Sequence, residues 1–336
     1  MKRFISLIIA TFICFSAYAQ QSSSIRILRD DEIENLLKEI AHPIFKQAGL
    51  EPSTIELHLV NSNSINAFVA NGRHMFINAG LFSATANEQE LAAVIAHETG
   101  HIMGGHLVQL SSKLSDAKTA LIASTIAAIL VASTMDAGAG IGMMYGMQSS
   151  LTKDILRYSR EEEIAADQSA SKLLSNLEIS PTYLSDFLKT IDEKQQFSQM
   201  TKIDTYLSSH PETEERISRV TSRFDKVVKY QPSKLHNQYL LARAKIFAYI
   251  NPAEITLNTY TANTPADKYA QSFAYFKQNE QAKALQNLKS LIQKNPENAY
   301  FYEALGQFNF EKGNLEEAKN YYAMAYKLLP SDLMGT

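Results

Sequence analysis

Thiol chemistry is nearly missing from this 336-residue chain, whose single cysteine is Cys14. One cysteine cannot form an intramolecular disulfide, so no covalent staple contributes to the fold. Thr11-Phe12-Ile13 before it is a poor match to a lipid-attachment box, and Cys14 reads as an ordinary apolar position. An excess of one charge is missing too. The formal net charge is −3 and the pI near 6.3, which gives no electrostatic reason to expect nucleic acid as a partner. Long apolar runs are scarce. The amino-terminal one, Phe4 to Phe15, follows Lys2 and Arg3 and ends before Ala17-Tyr18-Ala19. That order of positive start, short apolar core and small-x-small site is a secretory signal cleaved after Ala19, too short to anchor the chain in a bilayer. The expected product is an exported protein without disulfides.

What is present is concentrated in Leu91-Ala92-Ala93-Val94-Ile95-Ala96-His97-Glu98-Thr99-Gly100-His101. Leu91, Val94 and Ile95 fall at i, i+3 and i+4, the buried stripe of a helix. At ~3.6 residues per turn, His97 and His101 lie about 40° apart and one turn along, so both imidazoles reach a single ion. Glu98 is rotated by roughly 100° from His97 and is free to take a proton from water. Two histidines for a metal and a carboxylate for general base are the requirements of metal-assisted peptide hydrolysis.

The flanking chain supplies a framework. Residues 30–48 read as an amphipathic helix capped by Asp30 or Asp31, with Ile33, Leu36, Leu37 and Ile40 buried and Gly49 as its stop. After Pro52 the period changes to two, with Ile55, Leu57 and Leu59 alternating against Glu56 and His58. Ala67-Phe68-Val69 and Met75-Phe76-Ile77 read as short strands around Asn71-Gly72-Arg73, giving a small antiparallel sheet whose edge suits an extended peptide. His58 and His74 are read as surface histidines and not as ligands.

A third protein ligand has two possible sources. Gly104 fits a His-Glu-x-x-His-x-x-Gly-x-x-His pattern, but the final position is Leu107, and His106 comes one residue early. On a continuing helix His106 points about 180° from His97. The other source is the acidic segment Arg160-Glu161-Glu162-Glu163-Ile164-Ala165-Ala166-Asp167. Glu163 and Asp167 share a helix face at i, i+4, so one carboxylate can bind the ion while Asp167 accepts the free N–H of a ligating histidine. Spacing alone does not choose among the three glutamates.

Asn66-Ala67-Phe68, Gly80-Leu81, His97-Glu98-Thr99-Gly100-His101, Ser159-Arg160 and Glu163-x-x-Ala166-Asp167 together resemble the HtpX/Ste-type gluzincin metallopeptidases. The resemblance covers roughly residues 30–225, and in architecture it extends to the secreted, repeat-bearing branch of the β-barrel assembly-enhancing type. It implies one Zn(2+) per chain, with Glu163 as third ligand beside His97 and His101. It also singles out His210 and, six residues on, Arg216. In such relatives this histidine can fill the fourth zinc position and hold the enzyme off, with Arg216 a stabiliser of the loop or of the oxyanion. Read without the resemblance, His210-Pro211 is only a helix-start signal.

Between the two metal-binding segments, residues 119–152 are apolar and small, with Asp136 the one charge. His97, His101 and Glu163 must meet at one ion, which forbids a single membrane crossing between them. The insert is read as a lid-like hairpin whose Met143, Met144 and Met147 offer peripheral membrane or client contact. Downstream, Pro296 and Pro330 are 34 residues apart, the tetratricopeptide period. Tyr302, Leu305, Gly306, Ala318, Tyr322 and Ala325 fit one such unit, and Ser272, Tyr275, Ala284, Leu288 and Leu291 a weaker one.

The expected fold is mainly α with a small antiparallel sheet, an α+β zincin-like peptidase domain followed by an α-solenoid of tetratricopeptide-like repeats. Its expected divisions are a signal peptide over 1–19, a peptidase domain over 20–228 with the insert at 119–152, and repeats over 229–336. The expected function is a periplasmic zinc metalloendopeptidase acting on unfolded or stalled envelope proteins, in quality control of outer-membrane β-barrels. The repeats would meet the outer-membrane assembly machinery. A chaperone or assembly adaptor acting through those repeats is the alternative.

Overall fold

The computed structural model describes residues 26–106, 160–197, 206, 210, 214–222 and 230–330. The signal segment 1–19 with Cys14, the insert 119–152, Leu107, Ser159 and Pro211 lie outside the described residues.

Strand β1 (Ile27–Leu28) leads into helix α1 (Asp31–Gln47). The Asp30 side chain caps α1 by accepting from the Ile33 N–H at 3.1 Å. Strands β2 (Glu56–Val60), β3 (Ala67–Ala70) and β4 (His74–Asn78) follow. Asn71 (φ 51°) and Gly72 (φ 66°) both take the left-handed backbone that Asn and Gly tolerate, and they fold β3 back on β4 as an antiparallel hairpin. The sheet order is β1-β2-β4-β3, and β2 runs parallel to β4, with Glu56 opposite His74 and Leu59 opposite Ile77. The expected antiparallel sheet is therefore a mixed one. Alternation fixes which face a strand buries, but not which strand of the hairpin docks beside β2.

One face of the sheet packs Leu59, Val69, Met75 and Ile77 onto the helices. The other carries Val60, Phe76 and Ala70 as a small separate cluster. After the short helix α2 (Ala79–Ala84), Asn87 caps α3 (Glu88–Gly104) by accepting from the Gln89 and Glu90 N–H groups at 3.0 and 2.9 Å. Leu91, Ala93, Val94, Ile95 and Ala96 on α3 are all buried, so this helix is a core element on every side. Fully burying each of its larger aliphatic side chains contributes about 1.5–3 kcal/mol. Gly105 (φ 61°) ends it with a left-handed cap.

Helix α4 (Arg160–Asn176) lies directly against α3, and the contact is unusually close. A β-carbon on Gly100 would stand 2.7 Å from the Ala166 carbonyl oxygen and 2.9 Å from its Cα. Glycine at 100 and the small Ala166 thus let the two backbones approach until side chains from both reach one point. Helices α5 (Thr182–Phe197) and α6 (Glu214–Ser222) complete this part of the chain.

Helix α7 (His236–Ile250) joins the same core through Tyr239, Ala242 and Ile246. The Tyr239 ring stacks on Phe82 at 5.6 Å, and its hydroxyl donates to the Thr85 carbonyl at 2.7 Å. Beyond α8 (Ala253–Thr259), four helices follow: α9 (Pro265–Lys277), α10 (Gln281–Lys294), α11 (Ala299–Glu311) and α12 (Leu315–Leu328). They share a second core around Tyr269, Leu288, Phe301 and Phe308. Gly306 on α11 sits under Tyr322 of α12, where a β-carbon would meet the ring at 2.8 Å. A buried polar knot ties these helices to α1. Lys245 lies 2.8 Å from Asp30 and 3.3 Å from Glu32, and the Tyr269 hydroxyl donates to Glu32 at 2.8 Å. Burial pushes the Glu32 carboxyl up to about 7, against the pull of Lys245.

Helix propensity favours valine over glycine by only a few tenths of a kcal/mol. The steric cost at position 100 is far larger, because the obstructing atoms are backbone. Gly100→Val should lower unfolding stability by about 2 kcal/mol or more in urea titration. Equal or greater stability would contradict the close α3–α4 packing.

Candidate metal centre

His97, Glu98 and His101 come from α3, Glu163 and Asp167 from α4, His210 from the segment before α6, and Arg216 from α6. All of the site residues read from the sequence are brought together, and each is buried. The Nε2 atoms of His97 and His101 stand 3.1 Å apart. Glu163 Oε2 is 3.4 Å from His97 Nε2, and Glu163 Oε1 is 3.4 Å from His101 Nε2. His210 Nδ1 closes the group at 3.3 Å from His97 Nε2 and 2.9 Å from Glu163 Oε1.

Four lone-pair donors aimed at a common point repel unless a proton or a cation sits among them. Nitrogen and oxygen ligands at about 2.0–2.2 Å around a tetrahedral ion are separated by about 3.3–3.6 Å. The observed edges of 2.9–3.4 Å are close to that. Three imidazoles and one carboxylate are also the donor types that suit a borderline divalent ion. The residues present fit a bound metal.

The outward-facing nitrogens of the two α3 histidines each face another side chain. His97 Nδ1 lies 2.9 Å from Asp167 Oδ1, and His101 Nδ1 lies 2.9 Å from His106 Nδ1. These contacts leave both Nε2 atoms to the centre. Arg216 then binds the carboxylates together. Its Nε and Nη2 donate to the two oxygens of Asp167 at 2.7 and 2.9 Å, and its Nη1 lies 2.7 Å from Glu163 Oε2. The fork satisfies Asp167 bidentately and offsets the negative charge buried there.

Electrostatics follow from this crowding. Burial works against charge on His97, but Asp167 and Glu163 outweigh it and raise the ring to about 10. Burial, helped by His97 and His210, drives His101 well below the ordinary range, so that ring is neutral. Burial would raise Glu163, yet His210, His101 and His97 hold it far below the usual carboxylate range. Glu98 differs. Burial raises its pKa against His210 and His97, and neither of its oxygens has a hydrogen-bond partner among the described residues. His210 Nε2 is 3.4 Å from Glu98 Oε1.

Sequence reasoning missed two contributors. His106 was weighed as a third ligand, but the left-handed turn at Gly105 brings it back along α3 to His101 Nδ1 and away from the centre. A β-carbon on Gly104 would stand 2.2 Å from the His106 Nε2, so a side chain there would force the ring to shift. Tyr206 gave no signal at all. It is fully buried, stacks on the His210 ring at 4.6 Å, and its carbonyl accepts the His210 N–H at 2.7 Å. His58 and His74 lie apart from this centre, on the sheet.

Known proteases are similar to most of this chain. The beta-barrel assembly-enhancing protease of Yersinia pestis is 22% identical over 295 residues, 85% of this chain and 60% of the relative. Its Escherichia coli (strain K12) counterpart is 21% identical over 313 residues, 90% of this chain and 63% of the relative. The mitochondrial metalloendopeptidase OMA1 of Schizosaccharomyces pombe is 26% identical over 180 residues, 53% of this chain and 49% of the relative. The chain thus spans less than two thirds of the length of these relatives. The model for peptidase family M48, whose members are metalloproteases, matches residues 28–224, more than half of the chain and every residue of the centre. This chain belongs to peptidase family M48.

Proposed function

We propose that the protein is an exported zinc-dependent metalloendopeptidase that cleaves unfolded or misassembled envelope proteins during outer-membrane β-barrel assembly. The observation that carries this reading is the convergence of His97, His101 and Glu163 with an unpartnered buried carboxylate, Glu98, beside them. Family membership supports the chemistry, and the designation of the Yersinia and Escherichia relatives supports the client class.

In this reading His97, His101 and Glu163 hold one zinc ion per chain. Zinc, when bound, supplies Lewis acidity that polarises the scissile carbonyl and makes water a better nucleophile. Glu98 takes a proton from the attacking water as its oxygen bonds to the carbonyl carbon. The carboxyl then passes that proton to the amide nitrogen as the C–N bond breaks. A carboxyl raised by burial suits both halves of this transfer. Asp167 and His106 orient the two ligating rings, and Arg216 positions Glu163 and Asp167. Arg216 Nε and Nη2 donate to Asp167 and Nη1 lies against Glu163, contacts that fit a positioning role.

His210 stands between Glu98 and the three ligands, the space that water and the substrate carbonyl must use. We read it as a fourth donor that closes the resting site. The helices α9 to α12 are read as tetratricopeptide-like repeats that engage clients or assembly machinery. Support for them is the close Gly306–Tyr322 packing and the 34-residue spacing of Pro296 and Pro330. The divisions at 19 and 228 and a periplasmic location belong to the same reading. Among the described residues no helix is long and apolar enough to cross a membrane.

Glu98→Gln should keep its metal and lose cleavage of an unfolded protein substrate by about 100-fold or more; a cleaving variant would remove Glu98 from the reaction. Loss of cleavage with cellular function retained would point to the adaptor role of the repeats. His210→Ala should raise basal proteolysis, and unchanged or lower activity would argue against a closed resting site. Asp167→Ala should weaken metal binding by roughly 10- to 100-fold in competition with a chromogenic chelator. An unaltered affinity would show that the His97–Asp167 contact does not support the centre.

A further inference from the structure

The outer face of the sheet carries a second set of metal-ligating side chains. The parallel register sets Glu56 directly opposite His74, and His58, two residues along β2, projects from the same face. His58 Nε2 lies 3.1 Å from His74 Nδ1. Glu56 Oε2 approaches His74 Nδ1 at 3.4 Å and His58 Nε2 at 3.6 Å. These distances resemble those of the buried centre, where His97 and His101 Nε2 are 3.1 Å apart and each lies 3.4 Å from a different oxygen of Glu163.

A hydrogen-bonded histidine pair explains only the first edge. One N–H between His58 and His74 leaves the Glu56 oxygen facing two ring nitrogens at distances well beyond the about 2.7–2.9 Å of a charge-assisted bond. A single cation satisfies all three atoms together. The ligands are also pre-set. The His58 ring is stacked between His74 (centroids 5.4 Å apart) and Phe76 (4.8 Å), and Phe76 is itself stacked on Phe68 at 4.9 Å. The nearby cation acting on His58 is Arg29, and its charge is engaged by Glu34 at 2.7 Å.

We propose that Glu56, His58 and His74 form a second divalent transition-metal site, taking zinc or a similar borderline ion, that clamps β2 to β4. Two imidazoles and one carboxylate select such ions over magnesium or calcium. The Glu56 side chain is 60% exposed and the two histidines 14% and 18%, so the remaining coordination position opens to solvent. This site therefore exchanges its ion more readily than the centre between α3 and α4, and it does not depend on the peptidase reading.

Equilibrium dialysis of the full chain against micromolar free Zn(2+) tests the proposal. The wild type should bind two ions per chain, the double variant His58→Ala/His74→Ala one, and His97→Ala/His101→Ala one. With Co(2+) as probe, the visible ligand-field absorption of the first double variant should fall to about half that of the wild type, with the far-ultraviolet circular dichroism unchanged. If that variant fails to fold, Glu56→Gln with His74→Asn keeps the surface polar and should give the same loss of one ion. A wild-type stoichiometry of one, abolished by His97→Ala/His101→Ala, would overturn the site. Retention of two ions after loss of the sheet histidines would overturn it equally.

Discussion

The structure depends on how closely two helices can approach. Histidines one turn apart on α3 bring two nitrogens to a point, but the donor opposite them must come from another helix some sixty residues further along the chain. Gly100 against Ala166 permits the approach, and the Asp167–Arg216–Glu163 network fixes its result. Seven buried charges or potential charges (His97, Glu98, His101, Glu163, Asp167, His210 and Arg216) in such a space would be costly if any were left alone. Here Arg216 offsets two carboxylates, and the histidines face the same carboxylates from the other side. Removing one partner exposes the others to an uncompensated desolvation cost, so the network behaves as a unit.

The same arrangement separates binding from chemistry. Glu98 follows His97 in sequence, yet its helical position turns it away from Glu163 and toward His210. It has no strong hydrogen bond to hold its proton affinity low, and burial raises it. Glu163 and Asp167, equally buried, are driven the opposite way by histidines and arginine. Three carboxylates within one small volume thus have different protonation behaviour, set by their neighbours and not by their depth.

The legible parts of this fold were those written in local periodicity. The i, i+4 spacing of His97 and His101, the apolar stripe leading into them, and the paired Glu163 and Asp167 follow from helix geometry alone, and the structure places them as that geometry requires. The choice of Glu163 over Glu161 and Glu162 was not local, and came from the family resemblance. The direction of β2 against β4 was not legible either, since alternation is identical for parallel and antiparallel partners. His106 could reach the ion only through a bend at Gly104-Gly105; Gly105 does turn the chain, but it carries His106 to the outer nitrogen of His101 and not to the centre. Tyr206, four residues before His210, carries no motif, and its stacking role exists only once the fold is made. His58 and His74 looked like isolated surface histidines because strand pairing, which joins them, is invisible in one dimension.

Diffraction from crystals grown with zinc, recorded at the zinc absorption edge, tests the convergence of α3 and α4 most directly. The predicted result is an anomalous peak at about 2.0–2.2 Å from His97 Nε2, His101 Nε2 and a Glu163 oxygen, with Glu98 outside bonding distance. A chain that keeps its fold but shows no peak at that position, or a peak bound by the histidines with Glu163 turned away, would contradict it.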